Sequence, residues 1–382
     1  MAGVNLRPIL AAYALPEGFK SEFAKLADKN LAAPLSRTRA SGRSLSQITQ
    51  RQRAQALLAM FVELREGGFK LQSPHNLKQK HIAWLVSHWI TTCGHSVGTV
   101  ELRLTHLRAL CDWLGKSAMV GKIEDYVVRP EGYKRSYVAT DDKSWVGTEV
   151  NASAVIQAIE RDDPYVAMQL RLEAGFGLRA QESWRLRPAR DILPAGYLDV
   201  RDGTKGGRPR QVKIEFAWQY ELLEAAARLA AAGNPEKGSL IPSAYSQEKW
   251  RGRFYSVLRR HGVTKAGIGV TAHGLRHQYL QELYARVSGQ PAAIKGAGEV
   301  RDVAAHHEAM RKVVEAAGHS RATKANAYLS TYSTQMSSKR REPTLAEVKA
   351  AIVACDGNRA AAARALGISR AKLYRLLGQG ES

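Results

Sequence analysis

Apolar residues recur at intervals of three and four through the first third of the chain, which is the spacing of amphipathic helices. The stretch Ser44–Gln47 has the pattern of a capping box and opens the first of them. The helices that this spacing predicts cover three segments, 44–66, 77–92 and 99–114. We therefore expect a small helical domain over residues 44–118, after an N-terminal extension over residues 1–43.

The pattern changes at residues 119–151, which are irregular and rich in Gly, Asp, Lys and Pro, so the sequence predicts a linker there. Residues 152–335 then alternate apolar helices with one hairpin, whose strands are predicted at 197–200 and 211–214. The expected fold class is mainly α with a small β-hairpin or sheet, an α+β domain. After a polar stretch, residues 343–382 predict a compact tail of three short helices.

The composition is that of a folded protein, because hydrophobic residues make up 45% of the chain and charged residues 24%. No apolar run approaches the roughly 20 residues that a membrane span requires, and we expect neither a signal peptide nor a membrane partner. The three cysteines are odd in number and far apart, which argues against a disulfide framework. We therefore expect a protein of the reducing cytoplasm.

The charge changes the picture most, because 57 Lys and Arg residues against 35 Asp and Glu residues give a net charge of +22. A basic surface binds polyanions by releasing their counterions, so by charge alone nucleic acid is the first candidate partner and an anionic membrane the second. A ribosome-associated or merely cationic protein is the remaining interpretation. Charge alone favours nucleic acid.

Four separated pieces of residues 152–335 carry side chains suited to holding and cleaving a phosphodiester. They present six residues: Arg179 after a Gly-containing turn, Lys205 at the hairpin tip, His273 and Arg276 three residues apart, and His319 nine residues before Tyr328. Taken singly, each has an ordinary explanation as a helix cap, a solubilising lysine, a core histidine, a metal ligand or a buried tyrosine. Metal ligation is the weaker idea, because no Cys or carboxylate cluster accompanies the histidines. Their order and combination indicate one site.

In this order the pieces resemble the catalytic domain of the tyrosine recombinases, the phage-integrase family. The resemblance covers about residues 150–335, and the preceding helical region resembles the core-binding domain of the same family more weakly. It rests on four motifs: Gly177–Glu182 as the first box, Thr204–Arg210 as the lysine hairpin, Thr271–His277 as the second box, and Gly318–Tyr328 as the histidine-to-tyrosine interval. All six functional positions carry the preferred residue types.

The resemblance implies how the phosphate would be held. Arg179 and Arg276 would each donate two hydrogen bonds to the non-bridging oxygens, in a fixed geometry that lysine cannot match. His273 and His319 would add donors where negative charge develops in the transition state. Neither a metal nor another cofactor is implied by the family.

The resemblance also implies a covalent step. Tyr328 would attack phosphorus to form a 3′-phosphotyrosyl link, and Lys205 would protonate the departing 5′ oxygen as the general acid. Glu182 is expected to orient the turn that carries Arg179. Tyr332 is the competing nucleophile, because it is four residues on and shares a face with Tyr328 if the helix continues. We expect Tyr332 to be a packing residue.

Two features depart from the family. Arg276 and His319 are 43 residues apart, and the added length falls around residues 287–298 and the charged stretch to Lys312. We expect an inert surface insertion, with contact to DNA or to a neighbouring protomer as the alternative. Gly274 stands where larger residues are common, which we expect to be without consequence.

The tail resembles a Fis-type helix-turn-helix over residues 357–377. By that analogy six residues would contact the major groove or its flanking phosphates: Arg359, Ser369, Arg370, Lys372, Tyr374 and Arg375. A three-helix dimerisation module is the alternative.

We therefore expect a site-specific DNA recombinase, the integrase of a mobile element, which acts as a tetramer on double-stranded DNA at the bacterial nucleoid. A catalytically inactive DNA-binding regulator or architectural protein is one alternative, and the intact set of site residues counts against it. A topoisomerase IB-like or telomere-resolving enzyme is another, because it would use the same chemistry. DNA relaxation without strand exchange would distinguish that enzyme.

Overall fold

The computed structural model describes residues 4–34, 44–296, 298–339, 343–366, 368 and 370–378. The chain divides into two compact units, Met1–Ser136 and Tyr137–Ser382. None of the helices in the described ranges is both long enough and apolar enough to cross a membrane.

The described residues of the first unit form helices joined by loops, with no strand among them. Its α-helices are α1 Arg7–Ala11, α2 Glu17–Asn30, α3 Gln47–Glu66, α4 Gln79–Ser87 and α5 Val97–Trp113, and a π-helical turn, His88–Thr92, continues α4. Ser46 caps α3 by accepting a hydrogen bond from the backbone of Thr49, so the predicted capping box at Ser44 is wrong by two residues. Phe23, Leu57 and other apolar side chains that follow the helical spacing are fully buried in its core.

The second unit surrounds a small sheet with helices, which confirms the predicted fold class. Its elements are α6 Ala152–Asp162, α7 Pro164–Phe176, α8 Ala180–Arg185, α9 Pro188–Asp191, β1 Ile192–Leu193, β2 Tyr197–Val200, β3 Arg210–Lys213, α10 Ala217–Gly233, α11 Gln247–Arg260, α12 Ala272–Ser288, α13 Val303–Ala316, α14 Asn326–Leu329 and α15 Tyr332–Lys339. The strands are antiparallel in the order β1-β2-β3, with Tyr197 opposite Lys213 and Val200 opposite Arg210. Strand β1 was missed because two residues are too few to show an alternating pattern.

Helices α7 and α12 form the centre of this unit. Asp163 caps α7 by accepting from the backbones of Tyr165 and Val166, and Gly177 ends it in a left-handed conformation. Residues 137–151, which the sequence places in the linker, also contribute to the core of this unit. Among them, Trp145 is fully buried and its indole donates to the Thr271 carbonyl at 2.8 Å.

The tail consists of α16 Leu345–Ala354, α17 Arg359–Ala365 and α18 Arg370–Gly378. Thr344 and Glu347 form the predicted capping box at the start of α16. The small residues Ala362 and Ala363 pack with Val348 and Leu373 in a separate apolar cluster, which allows the short helices to approach closely.

Candidate active site

The turn between α7 and α8 places Arg179 at the site. Gly177 has φ 60°, and a Cβ atom there would lie 2.4 Å from Cδ1 of Tyr279, so only glycine fits this turn. Arg179 directly precedes α8, and its guanidinium donates to Glu182 at 2.6 Å and to the Ala317 carbonyl at 2.9 Å. The family's first box is therefore a tight turn that aims an arginine at the end of α13.

Arg276 lies within the first turns of α12 and is completely buried. Its guanidinium donates to the Gly177 carbonyl and, at 2.6 Å, to the Ala317 carbonyl. Two arginines thus share the carbonyl at the C-terminal end of α13, where unpaired carbonyls and the helix dipole favour positive charge. His319 follows two residues after Ala317, so this helix end connects both arginines to the histidine.

Glu182 lies among the arginine side chains of the site and links them to one another, and its own side chain is fully buried. It accepts from Arg179 and, through both carboxylate oxygens, from Arg210 at 2.8 and 2.7 Å. Burial alone would raise the pKa of Glu182, but hydrogen bonds from Arg210 and the charges of Arg210, Arg179 and Arg276 lower it to about 2. The expected orienting role of Glu182 extends to three arginines.

Arg210 is a site residue that the sequence did not single out. It lies on β3, is nearly buried, and its Nε donates to the Ala316 carbonyl at 2.7 Å. The only local signal is its place on the buried face of β3 together with Val212, where an unpaired arginine would be costly. Its partner Glu182 is 28 residues away and becomes adjacent only through the fold.

The Tyr328 hydroxyl lies between two of the predicted site residues. Nε of Arg276 donates to it at 3.4 Å, and Nε2 of His319 lies 3.3 Å from it. The tyrosine is nearly buried, and its ring centroid is 4.8 Å from that of His277 and 6.3 Å from that of His273. The structure therefore brings together five of the six residues that the sequence predicted.

The histidines around Tyr328 are held in the neutral form. Burial, followed by the charges of Arg179 and Arg276, lowers the pKa of His319 to about 4. Burial also lowers the pKa of His277 to about 3, and its Nδ1 has no hydrogen-bond partner in the described part of the chain. His273 lies at the exposed rim, where partial desolvation and the same two arginines lower its pKa. A neutral imidazole offers one donor and one acceptor.

Lys205 is the predicted residue that does not reach the others. It lies in a short 3-10 turn, Lys205–Gly207, and is exposed. It forms no hydrogen bond or ion pair with any residue that the structure describes, although its charge contributes to the lowered pKa of His319. Gly206 and Gly207 follow it with φ of 73° and 64°, so the lysine is carried on a backbone that suits glycine.

Tyr332 does not share a helical face with Tyr328, because the helix does not continue from one to the other. Ser330, with φ 64° and ψ −168°, separates α14 from α15. The Tyr332 hydroxyl accepts from Nε2 of Gln290 at 2.6 Å and lies 3.2 Å from that of Tyr284. Burial and the hydrogen bond with Tyr284 raise the pKa of Tyr332, which disfavours the phenolate that a nucleophile needs.

The long interval between Arg276 and His319 is not wholly a surface insertion, contrary to expectation. In the added length, Ala292, Ala293 and Ile294 are among the buried residues. The physical reason is that this stretch folds back on the second unit, where the burial of apolar side chains lowers the free energy of the folded state.

The glycine of the second box has a structural reason. A Cβ atom on Gly274 would lie 2.5 Å from the carbonyl oxygen of Lys143 and 2.8 Å from Cδ1 of Trp145. Residues 143–145 occupy the space that a larger side chain would fill. The departure from the family is therefore matched by a second segment packed against α12.

Among the described residues, no three His, Cys, Asp or Glu side chains are grouped in a way that could hold a metal ion.

Of the tail residues expected to contact DNA, three have described side chains: Arg359, Tyr374 and Arg375. The Arg359 guanidinium lies 5.4 Å from the ring centroid of Tyr374, which is exposed. Arg370 and Lys372 are placed on α18 by their backbones only, and Ser369 lies outside the described residues.

Three family models match the chain. The integrase model matches residues 140–282, the phage-integrase N-terminal model matches residues 29–120, and the model of Fis-family bacterial regulatory proteins matches residues 346–379. The first contains both arginine boxes, and the third coincides with the helical tail.

Individual relatives agree with these models. Tyrosine recombinase XerA of Pyrococcus furiosus is 25% identical over 201 residues, which are 50% of this chain and 63% of XerA, so the match spans less than two thirds of that relative. A lambda integrase tetramer bound to a Holliday junction shares the fold, with a TM-score of 0.51, 14% identity and coverage of 81% of this chain and 76% of the integrase. The XerH recombinase in its post-cleavage complex with difH has a TM-score of 0.48 at 16% identity, over 83% and 92% of the two chains. The two integrase models together match more than half of the residues, so this chain belongs to the phage-integrase, or tyrosine recombinase, family, and it carries a Fis-type helix-turn-helix over residues 346–379.

Proposed function

We propose that the protein is a site-specific DNA recombinase, which cleaves and rejoins strands through a 3′-phosphotyrosyl intermediate to integrate or excise a mobile element. One observation carries the proposal. The Tyr328 hydroxyl lies within 3.4 Å of both Arg276 and His319, at the edge of a buried arginine cluster. A tyrosine that only filled space would not need its hydroxyl between a guanidinium and a neutral imidazole.

The chemistry follows from these positions. Arg179 and Arg276 bind the non-bridging oxygens of the phosphodiester and stabilise the charge that grows on them. The Tyr328 oxygen forms a bond to phosphorus while the bond to the 5′ oxygen breaks. Neutral His319 accepts the phenolic proton, and Lys205 gives a proton to the departing 5′ oxygen. Lys205 must move inward for this step, and the glycines that follow it allow its loop to do so.

The rest of the chain supplies DNA binding in this proposal. Residues 44–118 act as the core-binding domain, residues 152–335 as the catalytic domain, and residues 343–382 as an added DNA contact. A net charge of +22 suits a partner with one phosphate charge per nucleotide. Exchange between two duplexes involves four strands, so four copies of the chain would assemble on DNA at the bacterial nucleoid.

The test is a covalent trapping experiment with the full chain. The probe is a pool of labelled duplexes that tile the DNA on both sides of the protein's own coding sequence. Each duplex is nicked so that cleavage releases a short fragment with a free 5′ hydroxyl and the adduct cannot be reversed. Wild type and Tyr332→Phe should both form a labelled adduct on a denaturing gel, and Tyr328→Phe should form none.

Other outcomes would change the assignment. An adduct that persists in Tyr328→Phe moves the nucleophile elsewhere. DNA binding without any adduct in the wild type favours the inactive regulator. Relaxation of supercoiled DNA without strand exchange favours the strand-passing enzyme.

A further inference from the structure

Two side chains in the added length between Arg276 and His319 are linked to the segment that carries Tyr328, one directly and one through other side chains. The first is Gln290, which is buried and donates to the Tyr332 hydroxyl at 2.6 Å. The Tyr332 hydroxyl in turn donates to the Pro291 carbonyl at 3.2 Å, so Tyr332 is held from both sides by this interval. Gln290 is itself fixed, because its Oε1 accepts from the backbone of Arg301 at 3.0 Å.

The second contact runs through Lys295. Its ammonium group donates to Asp142 at 2.6 Å and to Ser144 at 3.0 Å. Asp142 accepts from Gln281 at 3.0 Å, and the same amide of Gln281 donates to the Tyr328 carbonyl at 3.2 Å. Lys295 therefore fixes the carboxylate of Asp142, which orients the side-chain amide of Gln281. That amide in turn holds the backbone of Tyr328.

The backbone between the two tyrosines explains why such support is needed. Ser330 adopts φ 64° and ψ −168°, a region that is almost restricted to glycine and costs other residues about 1–3 kcal/mol. Its hydroxyl donates to the Ala139 carbonyl at 2.6 Å. A strained connection persists only where its surroundings determine it, and Gln290 and Lys295 supply two of the restraints.

We propose that Gln290 and Lys295 are positioning residues, which hold the Tyr328 segment so that its hydroxyl stays between Arg276 and His319. The inference rests on the proposed function, because it assigns to Tyr328 the role of nucleophile. In this proposal, the long interval between Arg276 and His319 supports the Tyr328 segment of the same chain. Small displacements of a reacting group can lower a rate by about 100-fold, so restraints that act on the backbone of the Tyr328 segment can change the rate without touching the hydroxyl.

Two measurements on the full chain test this proposal. The variants are Gln290→Leu and Lys295→Met, which keep the side-chain volume and lose the polar contacts. Lys295→Arg keeps the ion pair with Asp142 and should restore wild-type behaviour. Glu299→Gln is the matched control, because Glu299 lies in the same interval, is exposed and forms no hydrogen bond with a described residue.

The first measurement is amide hydrogen exchange of residues 326–332 in the free protein. We expect exchange to rise at least about tenfold in Gln290→Leu and Lys295→Met and to stay unchanged in Glu299→Gln. The second is the single-turnover rate of adduct formation on the nicked duplex pool at saturating DNA. We expect it to fall about tenfold in the same two variants, with DNA affinity within twofold of wild type.

The outcomes separate this proposal from the recombinase assignment. Exchange or adduct rates within twofold of wild type in both variants would overturn the positioning role, as would equal losses in rate and DNA affinity. A wild type that forms no adduct overturns the recombinase assignment, while exchange still decides whether Gln290 and Lys295 hold the segment. If Gln290→Leu fails to fold, Lys295→Met decides the test, since Lys295 is partly exposed.

Discussion

Replacing Glu182 by glutamine should destabilise the second unit strongly. The carboxylate accepts hydrogen bonds from Arg179 and Arg210 and lies 3.8 Å from Arg276. An amide of the same shape carries no charge and turns an NH₂ group toward guanidinium donors. Glu182→Gln therefore leaves three buried or half-buried arginines without their shared counter-ion.

The lowered pKa of Glu182 gives the size of the effect. A fall from 4.5 to about 2 corresponds to about 3 kcal/mol of stability at neutral pH, since one pKa unit is worth about 1.4 kcal/mol. This agrees with the roughly 3–5 kcal/mol lost when a buried ion pair is broken. Because the pKa is lower in the folded state, the stabilisation is complete above about pH 5 and falls as the pH drops toward 2. Roughly half of it should be lost by pH 3.

The assay is urea unfolding of the full chain, followed by pulse-labelled hydrogen exchange, which resolves the second unit from the first. Wild type and Glu182→Gln should differ by about 3 kcal/mol at pH 7 and by about half as much at pH 3. The control is Glu308→Gln, which removes an exposed ion pair with Arg311 on α13 and should leave the unfolding midpoint nearly unchanged. A difference below about 1 kcal/mol at pH 7, or one equal at both pH values, would refute this account of the cluster.

Two further substitutions test the backbone around the site. Gly274→Ala should lower the free energy of unfolding by about 1–3 kcal/mol in the same urea assay, because the added Cβ meets the Lys143 carbonyl. The control is Gly252→Ala on α11, where the added Cβ meets open space. Gly252→Ala should leave the free energy of unfolding unchanged or raise it by up to about 1 kcal/mol. Ser330→Gly should be more stable than Ser330→Ala by about 1 kcal/mol, since both lose the hydroxyl and only glycine relieves the positive φ. Thermal melts of the two variants compare their stabilities directly. A higher melting temperature for Ser330→Ala would contradict the strain at this position.

The sequence predicted the parts of the site that are encoded locally. His273 and Arg276 share the start of one helix, and Arg179 follows a turn that glycine marks. It did not predict Arg210 or Gln290, because their partners are 28 and 42 residues away and nothing local marks the pairing. It also placed residues 137–151 in a linker, since a lone buried tryptophan has no periodicity to reveal it.

The pairings that the sequence could not show also decide the charge of the site. Three arginines meet one ionised carboxylate, Glu182, while burial and the neighbouring charge of Glu182 raise the pKa of Glu173 well above its usual value. Glu173 is fully buried, and neither of its carboxylate oxygens has a hydrogen-bond partner among the described residues, so its surroundings favour the protonated form. The histidines are neutral as well, and the α13 carbonyls neutralise the arginines only in part. The cluster therefore keeps a net positive charge beside the Tyr328 hydroxyl. Under the proposed function, a phosphodiester would supply the missing negative charge and its transition state would supply more of it, which is the condition for binding the transition state more tightly than the substrate.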